Sequence, residues 1–331
     1  FLHNICEKGD IDIVKHIISL NQVDLNIRNS NGESILNFAC KSENLDLVKY
    51  LISLNTITIT SDDDCATILH AAVDSGDLNM VKYIVSLNKI GINAIDSDHK
   101  TALHYACNSG YYEIAEYLLT LPGIDVNIQD NSNEAPLHLA CGSEDIELVK
   151  LLLDQKDTDI TLTGDDNKTV LHYVCDDGNL EITKFLISKH NFDYNAKDSR
   201  SKTLLHYACN SGNIDLVKYL IELNKINALA KDRDEKTILH YACESENHEL
   251  IKFLISLKIF NINDKDSDGK TIMHSICESG NLEMIEYINS LGEANFDIRD
   301  KSGKTLLHYA VESENLDLVK FLVEANQIEL L

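Results

Sequence analysis

Residues Lys202–Ile221 read KTLLHYACNSGNIDLVKYLI, and most of the chain is built from variants of this stretch. Its centre, Thr203-Leu204-Leu205-His206-Tyr207-Ala208-Cys209, carries a histidine that recurs at His3, His70, His104, His138, His172, His206, His240, His274 and His308. From His70 onward each step is 34 residues, and between His3 and His70 the same slot falls on Asn37. The 331 residues therefore divide into ten units in register: 1–28, 29–61, 62–95, 96–129, 130–163, 164–197, 198–231, 232–265, 266–299 and 300–331. A fixed period of this size marks an array in which each unit buries its apolar face against its neighbours. One elongated solenoid is expected rather than two or three globular domains.

Composition narrows the function classes. Hydrophobic residues make up 44% of the chain, enough for a continuous core, and there are two prolines and no tryptophan. No run approaches the roughly 18 apolar residues of a membrane span, and no signal-peptide pattern opens the chain. The expectation is a soluble, intracellular, cytoplasmic monomer without direct membrane insertion. The formal charge of −25 disfavours nucleic acid and anionic membrane as partners, because phosphate backbones need a basic stripe. Such a charge keeps an elongated apolar stack dispersed, or attracts a basic partner.

Eight of the nine cysteines share one slot, three residues after the histidine position: Cys6, Cys40, Cys107, Cys141, Cys175, Cys209, Cys243 and Cys277. Val73 and Val311 fill that slot in the other two units, so it is a small buried apolar site. Metal-ligand sets need close pairs such as C-x2-C, and none occurs. Cys65, in a hairpin tip, stands outside the pattern as a candidate exposed thiol.

The first unit opens in mid-repeat at Phe1, and the last runs through Ile328-Glu329-Leu330 in phase with earlier units. Neither end carries a polar cap, so the chain reads as a fragment of a longer array. Within a unit, Asp96-Ser97-Asp98-His99-Lys100 reads as a hairpin tip. Thr101 then N-caps a short helix reaching about Ser109, and Gly110 suits a left-handed helix end. A second helix is expected from about Tyr112 to Leu121, and Asn55, Asn88 and Asn224 suit left-handed positions after such helices. In the Lys202–Ile221 unit the second helix is apolar on most sides, which predicts that it is sandwiched between neighbours.

The pattern Asp-x-x-Gly-x-Thr-x-Leu-His-x-Ala, followed by Gly and a Leu/Val-rich helix, resembles the ankyrin repeat. Asp300-Lys301-Ser302-Gly303-Lys304-Thr305-Leu306-Leu307-His308-Tyr309-Ala310 matches it closely, and Ala135-Pro136-Leu137-His138 adds the Pro. The resemblance covers essentially the whole chain. It implies an all-α repeat solenoid of helix pairs linked by β-hairpin fingers, with the slot histidine clipping hairpin to helix through backbone and Thr. Departures are the period, usually 34 rather than 33, and the tip Gly, present only at Gly32, Gly269 and Gly303. Glu43, Glu144, Glu246 and Glu314 replace the Gly between helices, and these changes are expected to loosen loops.

No catalytic constellation stands out. There is no Gly-rich phosphate loop, no Gly-x-Ser-x-Gly and no His-Glu-x-x-His. The histidine row could in principle ligate metal or act as bases, but its members lie in different units without a recurring carboxylate. Asp62–Asp64 and the pair Asp165 and Asp166 lack the spaced ligand set of a calcium loop. The expectation is a non-enzyme without cofactor or metal.

What remains is surface. In the ankyrin repeats that the chain resembles, hairpin tips and first helices line a groove that binds other proteins. Tyr105, Tyr173, Tyr207, Tyr241 and Tyr309 follow the histidine, either as interface anchors or as partly buried packing. Tips in units 3 to 6 lean acidic, whereas later tips add Arg200, Lys202, Arg233, Lys236 and Lys301 opposite Glu244, Glu278 and Glu312. Opposed rows of charge can orient an extended peptide carrying both signs, or neutralise one another. The expected role is a protein-binding scaffold. Its rivals are a regulatory or tethering region of a larger channel, kinase or ubiquitin-ligase adaptor, and a structural spacer.

Overall fold

In most repeats the first helix opens with a residue that satisfies the free N–H groups at a helix start. Thr101 accepts from the His104 backbone N–H, and the Thr101 N–H donates to His104 Nδ1 at 3.0 Å. The same reciprocal cap recurs with Thr203 and His206, and Ser34 with Asn37 shows that Asn can replace His in it. In the computed structural model, which describes residues 1–59, 61–62, 66–143 and 145–326, twenty α-helices follow in pairs. Cys65 and Glu144, together with residues 327–331, lie outside the described residues.

The chain forms two compact units, Phe1–Asp165 and Asp166–Leu331, each holding five helix pairs. In the first, Ala102–Asn108 and Tyr112–Leu119 are a representative pair, within two residues of the expected bounds. In the second, Leu204–Asn210 pairs with Ile214–Glu222, and Ile238–Glu244 with His248–Ser256. First helices pack side by side through a fully buried row that includes Leu205, Ala208 and Cys209. The eight described cysteines are buried and form no disulfide, and burial pushes Cys40 and Cys175 up to about 12.

Second helices are less enclosed than their composition suggests. Only Leu216, Val217 and Leu220 of Ile214–Glu222 are buried, and Ile214, Tyr219 and Ile221 are half-covered. The reason is that long side chains cover the outer stripe. Lys184 lies over the Tyr219 ring at 5.3 Å and Lys218 over Phe253 at 5.5 Å, while Lys15 and Tyr50 do the same in the first unit.

The expected hairpins are tight loops. Among the described residues, strand pairing is limited to single bridges between Arg28 and Ser34 and between Arg299 and Thr305. Most loops are closed instead by a leading aspartate, with Asn29 acting likewise in one repeat and Gly164 at that position in another. Asp198 Oδ1 accepts from the N–H groups of Arg200 and Lys202, and the Asp198 N–H donates to the Lys202 carbonyl. The substituted tips keep the same turn. His99, Ser201 and Glu235 hold φ of 64°, 63° and 59°, the left-handed conformation that Gly269 adopts at 77°. Closure outweighs the strain of placing a side chain there.

Three series of hydrogen bonds join consecutive repeats. Histidine Nε2 donates across to the next loop: His70 to Lys100 O at 3.1 Å, His104 to Glu134 O at 3.1 Å and His206 to Lys236 O at 3.3 Å. Asn213 and Asn247 side chains donate to Gly178 O and Gly212 O. Tip backbones also bond directly, Arg233 N–H to Arg200 O at 2.8 Å and Lys301 N–H to Asp268 O at 2.8 Å. The histidine is therefore a clip to the neighbouring repeat as well as within its own.

Candidate functional site

The loops and first helices of residues 166–326 bring together most of the expected surface residues. Lys168, Lys202, Lys236, Lys270 and Lys304 each precede the capping Thr, so the repeat places them in one row. The tyrosines form a second row beside them. Lys202 lies over Tyr207 at 5.5 Å and over Tyr241 of the next repeat at 4.7 Å. Lys270 and Lys304 lie over Tyr309 at 4.8 and 5.3 Å. Cation and ring thus alternate.

The rings themselves are mostly inside. Tyr207, Tyr241 and Tyr309 are buried, and Tyr105 and Tyr173 are half-buried. Each of four hydroxyls donates to the second oxygen of its own loop aspartate: Tyr105 to Asp96, Tyr207 to Asp198, Tyr241 to Asp232 and Tyr309 to Asp300, at 2.6–2.7 Å. Each ring also stands edge-on to the histidine of the preceding repeat, as His206 does to Tyr241 at 5.3 Å. The row is a packing ladder, which leaves little aromatic area for a partner. Burial first, then the Asp198 carboxylate, hold the Tyr207 hydroxyl protonated well above the ordinary phenol range.

This arrangement carries a prediction. Replacing Tyr207 with Phe removes the donor to Asp198, a carboxylate that is 6% exposed. The expected loss is about 1–3 kcal/mol, the cost of leaving a buried acceptor unpaired. A urea midpoint unchanged from wild type would show that the ring alone matters.

The glutamates expected to face a partner are paired. Glu244 bonds Lys236, Glu278 lies 3.6 Å from Lys270, and Glu312 lies 2.7 Å from Lys304. Of the two outcomes open from sequence, neutralisation holds for these three. Arg200 is exposed and lies 3.7 Å from Asp166. Arg233 and Lys301 are exposed on tips two repeats apart and make no side-chain ion pair among the described residues. Sequence reading named tip residues such as Asp96, Lys202 and Lys236, but not their contacts with the tyrosines. The aspartate and lysine rows keep fixed offsets from the histidine, eight residues from Asp to His and four from Lys to His.

Except for exposed His308, the slot histidines from His70 onward sit in buried seats where Nδ1 accepts from the backbone, and Nε2 of His172, His240 and His274 lacks a hydrogen-bond partner among the described residues. Because backbone N–H groups donate to Nδ1, the ring proton sits on Nε2. Burial pushes these rings below the ordinary imidazole range, His172 to about 4. Such rings are neutral clips near neutral pH. Among the described residues, no three His, Cys, Asp or Glu side chains converge as metal ligands, and no helix is long and apolar enough to cross a membrane.

Comparison with known families agrees with the geometry. The family model described as Ankyrin repeats (3 copies) matches residues 2–96, 57–130, 121–198, 195–266 and 247–330. A search of curated proteins finds no match.

Proposed function

The chain belongs to the ankyrin-repeat family, and from that premise we propose that it is a non-catalytic scaffold binding a partner protein along its loop tips and first helices. Ankyrin repeats are generally protein–protein interaction modules, and fold alone does not name the partner. The observation that supports this surface is the tip row of residues 166–326. Backbone bonds tie tip to tip, and exposed Arg200, Arg233 and Lys301 share that row with exposed Asp234 and Asp268. A row fixed before binding loses little order on binding. Its charges suit an extended peptide segment carrying both signs.

The test uses peptides selected from a displayed library against the full chain. The variant Arg200→Glu, Arg233→Glu, Lys301→Glu is expected to bind them at least tenfold more weakly, with unchanged circular dichroism. The difference should shrink at high salt, since exposed charges are screened. Equal binding by both chains would move the surface elsewhere.

A further inference from the structure

Within residues 166–326 the tyrosine ladder breaks in one repeat. In the repeat spanning 266–299 the residue after the histidine is Ser275, where Tyr207, Tyr241 and Tyr309 stand in the repeats around it. Everything that would seat a ring there is present. His240 occupies the position from which His206 meets Tyr241 and His274 meets Tyr309, both at 5.3 Å. Lys236 and Lys270 occupy the positions from which Lys202 and Lys236 meet the Tyr241 ring, at 4.7 and 5.6 Å. Asp266 closes its loop through Oδ1, as Asp232 does. No phenol donates to its other oxygen, and Asp266 is half-exposed whereas Asp232 is buried.

The result is a cleft of about 370 Å³ lined by Lys236, His240, Asp266, Lys270 and Ser275. That lies at the small end of the ~300–1,000 Å³ typical of ligand pockets. His240 is 97% buried, at 3% exposure, and its Nε2 has no hydrogen-bond partner among the described residues, as is also so for His172 and His274 beside their tyrosines. The neighbouring Asn281 has also left the usual series, contacting His248. A second cleft of about 270 Å³ lies beside it, bordered by Cys243, His248 and Asn281.

We propose that this cleft takes a tyrosine side chain from the partner. The incoming ring replaces the missing rung: edge-on to His240, between the Lys236 and Lys270 ammonium groups, its hydroxyl donating to Asp266 Oδ2. The chain supplies its own template for this fit in Tyr207, Tyr241 and Tyr309. Five carboxylates and two lysines line the cleft, so a neutral phenol is favoured over a phosphorylated one. The inference deepens the scaffold reading by naming an anchor within that surface. Its test needs no partner, so the two fail separately.

N-acetyltyrosinamide is titrated into the full-length chain and followed by backbone amide NMR, beside N-acetylphenylalaninamide and N-acetyl-phosphotyrosinamide. Saturable shifts confined to the residues lining the cleft are expected, with about tenfold weaker binding for the phenylalanine analogue, which cannot donate to Asp266. Asp266→Asn keeps the loop acceptor and should erase most of that preference. Ser275→Tyr fills the rung internally. It is expected to raise the thermal midpoint and abolish tyrosinamide binding. The proposal is overturned if tyrosinamide causes no saturable shift at the cleft, if the phenylalanine or phosphorylated analogue binds as well, or if Ser275→Tyr binds like wild type.

Discussion

Leu205→Ala should lower the unfolding free energy by about 2–5 kcal/mol, read as a reduced urea midpoint. Leu205 is fully buried in Leu204–Asn210, a helix of 7 residues that does not hold its shape without neighbours. The truncation removes buried methyl groups and leaves a cavity where first helices of adjoining repeats meet. Because each repeat leans on the next, the damage should spread beyond its own unit, and amide exchange should quicken in the repeats on either side. A loss below about 1 kcal/mol, or exchange confined to residues 198–231, would mean that the repeats are stabilised singly.

Acid is expected to destabilise the fold well before most carboxylates protonate. His70, His104, His138, His172, His206, His240 and His274 all titrate below the ordinary imidazole value, chiefly because burial disfavours the charged ring. Protonation also places an N–H on Nδ1 against the donating Thr N–H, as at Thr203 and His206. The unfolded chain therefore binds more protons below about pH 6.5. Stability is fully present above that value and falls as the pH drops toward 4, where His172 titrates in the fold. His172 alone contributes on the order of 3 kcal/mol to that fall. Urea midpoints at pH 7.5 and pH 5.0 measure it. His172→Asn should flatten part of the dependence, since Asn37 shows that Asn holds the cap without titrating. A midpoint unchanged between the two pH values would contradict the neutral-clip reading.

Sequence carried the fold because the repeat is a local code. Period, capping Thr and the Leu-His pair place helix bounds such as Ala102–Asn108 within two residues. What it did not carry lies across repeats. Whether Tyr241 is a rung or an anchor depends on Lys202 and His206, a repeat away. The strain held at Ser201 and Glu235 depends on loop closure by Asp198 and Asp232. The pairing of Glu244 with Lys236 depends on which rotamers meet between loop and helix. Ser275 was legible as a departure, but its meaning needed the seats of the other tyrosines.

The tip row of residues 166–326 is the surface proposed to face the partner. A photo-crosslinking residue placed at Arg233 reads this directly, with the same residue at the exposed Glu222 of the second helix as the comparison. With a library-selected peptide as ligand, crosslinking is expected at position 233 and not at 222. Crosslinking at 222 alone would place the interface on the second helices and contradict the claim.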